Sequence, residues 1–395
     1  MLGDGRAVLI GEHIKGSQRY DIVLKGSGKT VYSRRGDGLA TIMPMLREYI
    51  ISEYMNAVKI PTSRSLAVIT TGDKVLRERA LDGSILVRTA ESHIRVGTFE
   101  YAKSFGELED VKKLADYTIN RHFPNINNNI YTENKYISFL STVVYLQACL
   151  IAKWQAIGFV HGVMNTDNMF ISGETLDYGP CAFLDNYDPN SVFSSIDTVK
   201  RYSYKNQPGI AVWNLSRFAE TILHLIHEDR EKAIKIAQEE ISNFYNIYFE
   251  KFYKEMARKL GIIKYDELNE NDKLIINDFL KLLEENNLDY TNTFNELKNE
   301  AGHFFEIENT KDWIAKWKRR IEPFKEEAIK KIKRANPYII PRNHIVDDVL
   351  ENANNGDLNT LQDFLKVLKN PYNNCDDKFK KPPKEGYKCV TFCGT

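Results

Sequence analysis

Between residues 161 and 185 the chain reads "HGVMNTDNMFISGETLDYGPCAFLD". Three of its side chains could share one piece of chemistry. Asn168 and Asp177 offer the hard oxygen atoms that Mg2+ or Mn2+ takes, and Asp167, beside Asn168, is a carboxylate placed to accept the proton of a hydroxyl. A metal on phosphate oxygens next to a base is equipment for group transfer from a nucleotide.

The phosphates then need cations, and "LKGSGKT", residues 24–30, is the first candidate. Gly28-Lys29-Thr30 has the ending of a P-loop, but that loop needs a glycine five residues before Gly28 so that its backbone N–H groups can curl round the phosphates. Val23 occupies that position. The preceding "YDIVL" reads as a strand with Ile22 and Leu24 on one face. Lys25 closes that strand, where a lysine needs a partner, so Lys25 rather than Lys29 is the predicted phosphate ligand.

The spacing around Asn168 matches a known template. The protein-kinase catalytic loop is His-Arg-Asp-x-x-x-x-Asn followed by Asp-Phe-Gly; here His161 and Asn168 fall on the histidine and asparagine, and Asp177-Tyr178-Gly179 stands for Asp-Phe-Gly. Val163 falls on the catalytic aspartate and can neither take a proton nor orient a hydroxyl. Metal and nucleotide binding are kept while the usual kinase base is gone. The template also pairs a strand lysine with a helix glutamate, which Lys25 and Glu48 supply. Each residue alone has a plainer explanation. Lys25 could snorkel from a strand end, Glu48 could be a surface acid, and the loop residues could be polar turns. Arg88 and Arg95 are an odd number of residues apart, hence on opposite faces of a regular strand, and converge only if a turn intervenes. His161 is expected to be packed and hydrogen-bonded rather than catalytic, and Tyr202, Tyr204 and Trp213 to belong to a core.

The elements that must position these side chains fall into two kinds. "RAVLIGE", "YDIVLKG", "SLAVITTG" and "SILVRT" are strand candidates, interrupted by one helix over 41–57. From about residue 107 long helices take over: 137–159 is apolar on most sides and reads as buried, whereas 230–262 and 311–335 are Lys/Glu-laced surface helices. Residues 125–134 read as an Asn-rich loop. The predicted fold class is α+β, a kinase-like bilobal arrangement. Its expected parts are a strand-rich N-lobe (1–106), a helical C-lobe (107–375) and a flexible tail (376–395), with the ligand cleft between the lobes.

Composition narrows the partners. The 395 residues are 43% apolar and 11% aromatic, enough for a substantial core. Lys+Arg and Asp+Glu both number 54, so no global basic field points to nucleic acid. No stretch approaches the eighteen or so uninterrupted apolar residues a membrane span needs, no signal peptide is seen, and a cytoplasmic monomer without membrane or nucleic-acid partners is expected. The five cysteines lack zinc or disulfide-scaffold spacing, leaving Cys389 and Cys393 as a candidate redox pair.

A series of ordered motifs adds to this. "LGDGRA" (2–7), "LKGSGKTVYSRRGDG" (24–38), "REYIISE" (47–53), "IPTSRSLAVITTGD" (60–73), "VRTAESHIRVGTFE" (87–100), "HGVMNTDNM", "DYGP", "RYSYKNQP" (201–208), "WNL", "LDYTNTF" and the final "TFCGT" closely resemble the selenoprotein O (SelO) family. Its members are kinase-fold protein adenylyltransferases, and the resemblance spans nearly the whole chain. It implies ATP as substrate, Mg2+ or Mn2+ as metal, and proteins bearing Ser, Thr or Tyr hydroxyls as acceptors. The nucleotide would lie inverted, its α-phosphate facing the acceptor. By resemblance, Lys25, Arg88, Arg95 and Arg6 hold phosphates, with Arg6 carried by the Gly3-Asp4-Gly5 turn. Asp37 and Gly38 complete the pocket, Asn168 and Asp177 hold the metal, and Asp167 is the proton acceptor.

Two departures stand out. Family members usually have a segment before "LGDGRA", so an N-lobe incomplete at its start is expected here. Their "ICNHSD" segment is "VFSSID" in this chain, with Phe193 in place of a cysteine that can pair with the C-terminus; Cys181 is the candidate substitute. A conventional kinase and an inactive nucleotide-binding scaffold are the competing functions. Val163 counts against the first, and the retained Asp167, Asn168, Asp177 and arginines against the second.

Overall fold

The computed structural model describes residues 3–128, 134–263 and 268–392. Its N-terminal part is an antiparallel sheet of five strands: β1 (Ala7–Lys15), β2 (Gln18–Lys25), β3 (Ala40–Thr41), β4 (Arg64–Leu76) and β5 (Ala80–Ala90). The long β5 is the spine, pairing with β2 and β3 along one edge and β4 along the other. All four strands expected from alternation are present; the two-residue β3 is too short to leave a pattern.

Helix α1 (Ile42–Ala57) packs on this sheet. Its ionisable residues are not a solvated face: Arg47, Glu48 and Glu53 are all buried. Each is partnered, as burial of charge requires. Arg47 donates to the carbonyls of Gly179 (3.1 Å) and Cys181 (2.8 Å), and Glu53 accepts from Arg64 at 2.8 Å. α1 thereby ties the sheet to the segment after Asp177.

Helices α2 (Val96–Phe105) and α3 (Leu108–His122) follow β5 directly. An ion pair of 2.6 Å between Arg121 and Asp21 docks α3 against β2. Beside it, His93 and His122 are held neutral, burial lowering both to about 4. A folded-state value below the unfolded one, about 6.5, means that the unfolded chain binds more protons between those limits. Stability is therefore expected to fall as pH drops from about 6.5 to about 4, read as a falling urea midpoint, and a His93→Gln, His122→Gln chain should show a shallower decline.

The rest is helical. α4 (Lys135–Ile157) lies at the centre, packed on α5 (Gln207–Ile226) and α6 (Arg230–Lys259). By length and composition α4 could cross a membrane; its apolar side chains are here largely buried against neighbouring helices. A two-stranded ribbon, β6 (Phe159–Val160) with β7 (Ala182–Phe183), closes the base of the loop between them. Further on come α7 (Glu270–Glu285), α8 (Tyr290–Glu296), α9 (His303–Glu306), α10 (Lys311–Ile321), α11 (Lys325–Ala335), α12 (Asn343–Asn354) and α13 (Asn359–Leu368). The single surface helix expected over 311–335 is thus two, broken at Glu322–Phe324 where Pro323 interrupts the pattern. The expected Asn-rich loop begins with a 3-10 turn, Pro124–Asn128, and residues 129–133 lie outside the described ones.

Thr391 pairs with the segment after Asp177: its N–H donates to the Phe193 carbonyl (2.8 Å), its carbonyl accepts from Ser195 N–H (2.9 Å) and its hydroxyl donates to the Pro180 carbonyl (2.6 Å).

Candidate active site

Strand register brings the first cations together. In the β2–β5 ladder Val23 faces Arg88 and Lys25 faces Leu86; paired residues share a face, as do residues two apart on one strand. Lys25 and Arg88 therefore project to the same side, towards α1. Glu48 sits between them, ion-paired to Lys25 through one oxygen and 3.5 Å from Arg88 Nη1 through the other. All three are buried. Lys25 Nζ also donates to Asp177 Oδ1 at 2.8 Å, joining the sheet to the distant loop. Burial works to raise the Asp177 carboxyl, but Lys25, with Arg88 and Arg6 behind it, outweighs that and holds it well below the usual carboxylate range.

Arg95 reaches the same cleft because the chain turns between β5 and α2, the turn its spacing required. Its guanidinium is ion-paired to Asp4 of the N-terminal turn. That turn is laced to the "LKGSGKT" loop: Thr30 donates its hydroxyl to the Asp4 carbonyl at 2.7 Å, and Gly26 N–H donates to the Arg6 carbonyl at 2.7 Å. Lys29 is exposed and does not line the cleft. The second glycine loop packs on the first, with Gly28 N–H donating to the Gly38 carbonyl at 3.1 Å. Gly38 has φ +72°, and a Cβ there would lie 2.0 Å from the Gly28 oxygen, so a side chain is excluded. Asp37 is clasped by Arg77 at 2.7 and 3.1 Å, which holds its carboxyl below the ordinary range.

The loop from His161 to Asp177 forms the opposite wall. His161 is fully buried; its Nε2–H donates to the Leu176 carbonyl (2.7 Å) and its Nδ1 accepts from Val163 N–H (3.3 Å). Burial lowers its pKa and keeps it neutral, so it braces the loop. Val163 is buried, as its apolar side chain demands. The Asn168 amide donates to the Val163 carbonyl at 3.0 Å, which turns Oδ1 into the atom available to a metal. Bonds of 3.0 Å from Val96 N–H to the Met169 carbonyl and from Ile171 N–H to the Ile94 carbonyl hold the Thr166–Asn168 turn against the start of α2.

Asp167 occupies a slot made by two glycines. A Cβ on Gly97 would stand 2.4 Å from Asp167 Oδ1, and one on Gly3 would stand 2.9 Å from its Cβ, Cγ and Oδ2. The carboxylate is thus confined from both sides by bare backbone.

These parts enclose a cleft of about 300 Å³. Gly3, Gly5, Arg6, Lys25, Asp37, Gly38, Arg88, Arg95, Asn168 and Asp177 all line it, while Glu48 lies behind Lys25 and Asp167 beside the rim in its slot. Five cations (Arg6, Lys25, Arg77, Arg88, Arg95) against three carboxylates (Asp4, Asp37, Asp177) leave an excess of two positive charges in the lining. Arg88 Nε and Nη1 and Arg95 Nε are buried with no hydrogen-bond partner among the described residues. Buried donors without acceptors are costly, and phosphate oxygens would satisfy them. No group of three or more His, Cys, Asp or Glu gathers as a metal nest among the described residues; Asn168 Oδ1 and the Asp177 carboxylate instead suit a hard cation that completes its shell with phosphate oxygens and water.

The family model described as protein adenylyltransferase SelO matches residues 1–369. The chain belongs to the SelO family. A relative named protein nucleotidyltransferase YdiU, from Clostridium perfringens (strain 13 / Type A), is 53% identical over 405 residues, an alignment covering 100% of this chain and 81% of the relative. Its namesake from Bacillus cereus (strain ATCC 14579) is 52% identical over 408 residues, covering 100% and 82%.

Three contributors to this SelO site escaped sequence reasoning: Asp4, Arg77 and Gly97. Gly97 alone left a signal, since a glycine in the first turn of a helix is a residue without helical merit. The candidate pair Cys389 and Cys393 falls partly outside the described residues. Cys149, Cys181, Cys375 and Cys389 are free, and Cys393 lies outside the described residues. Cys181 is fully buried, its thiol donates to the Tyr178 carbonyl at 3.2 Å, and burial pushes it up to about 12. Such a thiol is poorly suited to exchange.

Proposed function

We propose that this SelO chain transfers AMP from ATP to Ser, Thr or Tyr hydroxyls of proteins within a kinase-like bilobal frame. The small lobe is residues 1–106, the helical lobe 107–375 and the terminal segment 376–395. Lys25, oriented by Glu48, takes the phosphates together with Arg6, Arg88 and Arg95. Asp37 and Gly38 shape the loop that borders them, with Gly3 and Gly5 permitting the close turn that carries Arg6. Asn168 and Asp177 would hold Mg2+ or Mn2+, which would supply charge neutralisation on the phosphate oxygens.

Asp167 accepts the proton as the acceptor oxygen bonds to the α-phosphorus. The bond from that phosphorus to the α–β bridging oxygen breaks, and pyrophosphate leaves. The arginines and Lys25 are fixed before reaction, so little reorganisation is needed as charge develops. The observation that carries this assignment is the convergence of Arg6, Lys25, Arg88 and Arg95 on the same cleft as Asn168 and Asp177. A cytoplasmic monomer acting on protein rather than nucleic acid fits the equal counts of 54 basic and 54 acidic residues and the four free thiols, which suit a reducing compartment.

Paired incubations with ATP labelled at the α- or the γ-phosphorus test the assignment. Protein-bound label is expected from the α-position alone, with labelled pyrophosphate released from the γ-position. Protein labelled from the γ-position would make the enzyme a kinase.

A further inference from the structure

A second groove, of about 660 Å³, opens where the segment 199–210 meets α6. Its floor is the first turn of α5, Pro208 to Ile210, and its far wall is Tyr245, Tyr248 and Phe249. Aromatic side chains there are exposed to an unusual degree: Tyr245 by 42% and Phe249 by 48%, with rings stacked 6.2 Å apart along α6. Gly209 lies in this floor, where a Cβ would make ordinary contact with the Tyr245 hydroxyl at 3.7 Å. Trp213, expected in the core, is instead 44% exposed one turn further along α5, with the Arg201 guanidinium 4.8 Å above its ring. Of the three aromatics read as core, only Tyr204 is fully buried there.

The charge of this surface has one sign. Arg201 and Lys205 are the charged residues of the lining, and Lys200 adjoins them. Among the described residues no carboxylate forms an ion pair with any of the three, although most arginines elsewhere in the chain have one. Exposed Trp and Tyr beside Arg make up the composition of binding hot spots. The groove is also joined by hydrogen bonds to the loop that starts at His161. Gln207, at the start of α5, accepts from His161 N–H at 2.9 Å and donates to the Phe159 carbonyl at 2.9 Å, and Asn214 donates to the Met164 carbonyl at 2.9 Å. The helix that floors the groove thus holds the loop that carries Asp167.

We propose that this groove docks the acceptor protein through an acidic stretch that also carries aromatic or leucine side chains. The proposal rests on the assignment of protein as acceptor, but its test has a binding arm that does not depend on transfer. Two synthetic peptides share one tyrosine, flanked in one by Glu, Asp and Leu and in the other by Lys and Ser. Their affinity is read by fluorescence anisotropy with ATP present, and AMP on the tyrosine by mass. The acidic peptide is expected to bind about tenfold tighter, a difference of about 1.4 kcal/mol. An Arg201→Glu, Lys205→Glu chain should lose that preference, and a Tyr245→Ala, Phe249→Ala chain should bind the acidic peptide about tenfold more weakly. Both variants should keep the rise in melting temperature given by ATP.

Equal affinity of the two peptides for the parent chain, or a preference that survives charge reversal, would overturn the docking surface whether or not AMP is transferred. The expected binding pattern with no AMP on either peptide would leave the docking surface standing and remove the transfer assignment.

Discussion

Lys25→Met is expected to cost about 3 kcal/mol of stability at pH 7 and at least about 100-fold in AMP transfer. The stability figure sits at the low end of what removal of one partner from a buried ion pair costs, because Arg88 remains 3.5 Å from Glu48. Asp177 depends on Lys25 more than on any other cation, with Arg88 and Arg6 contributing less. Its carboxyl is depressed in the folded chain by Lys25, so its contribution is present above the unfolded value of about 3.9 and is lost as pH falls below it. In the variant, burial without that partner raises the carboxyl, and the penalty grows with pH. The gap between parent and variant in urea unfolding should therefore be wide at pH 7 and narrow as pH falls through 4. A constant gap would show that methionine packing, and not the ion pair, carries the difference.

Gly97→Ala separates catalysis from stability more cleanly. Alanine suits the first turn of α2 better than glycine does, by up to about 1 kcal/mol, so the fold should tolerate it. The added Cβ, however, would stand 2.4 Å from Asp167 Oδ1 and 3.4 Å from its Cα. The atom in the way is the end of a short side chain, so the carboxylate must turn aside while the backbone stays. A displacement of about 1 Å at a reacting group costs on the order of 100-fold. Transfer is expected to fall by about that factor with the ATP-induced melting shift unchanged. Activity near the parent value would mean that Asp167 needs no fixed position.

The contrast between Lys25 and Gly97 shows what the sequence could and could not reveal. Lys25, Asn168 and Asp177 were legible because their meaning lies in short spacings: a strand end before a glycine turn, and the interval from His161 to Asn168. Val163 was legible for the same reason, as an absence at a fixed position. The convergence of Arg88 with Lys25 depends on cross-strand register, which pairs Val23 with Arg88 across a gap of sixty-odd residues and leaves no local trace. The same holds for Asp4 on Arg95 and Arg77 on Asp37.

Burial here depends on partners far along the chain. Arg47, Glu48 and Glu53 are all buried in α1, because partners from the loop after Asp177 and from the sheet satisfy them. Trp213 looks like core and is exposed, with Arg201 as its companion. The contacts of Thr391 left no local trace either: its three hydrogen bonds go to the distant segment after Asp177.

The most direct test of the central assignment is the intact mass of the purified chain and of a model acceptor protein after incubation with Mg-ATP or Mn-ATP, beside an Asp167→Ala chain. An adenylyl increment on the parent reaction, lost in the variant while ATP still raises the variant's melting temperature, is the predicted result. A phosphoryl increment, or an adenylyl increment that persists without the Asp167 carboxylate, would contradict it.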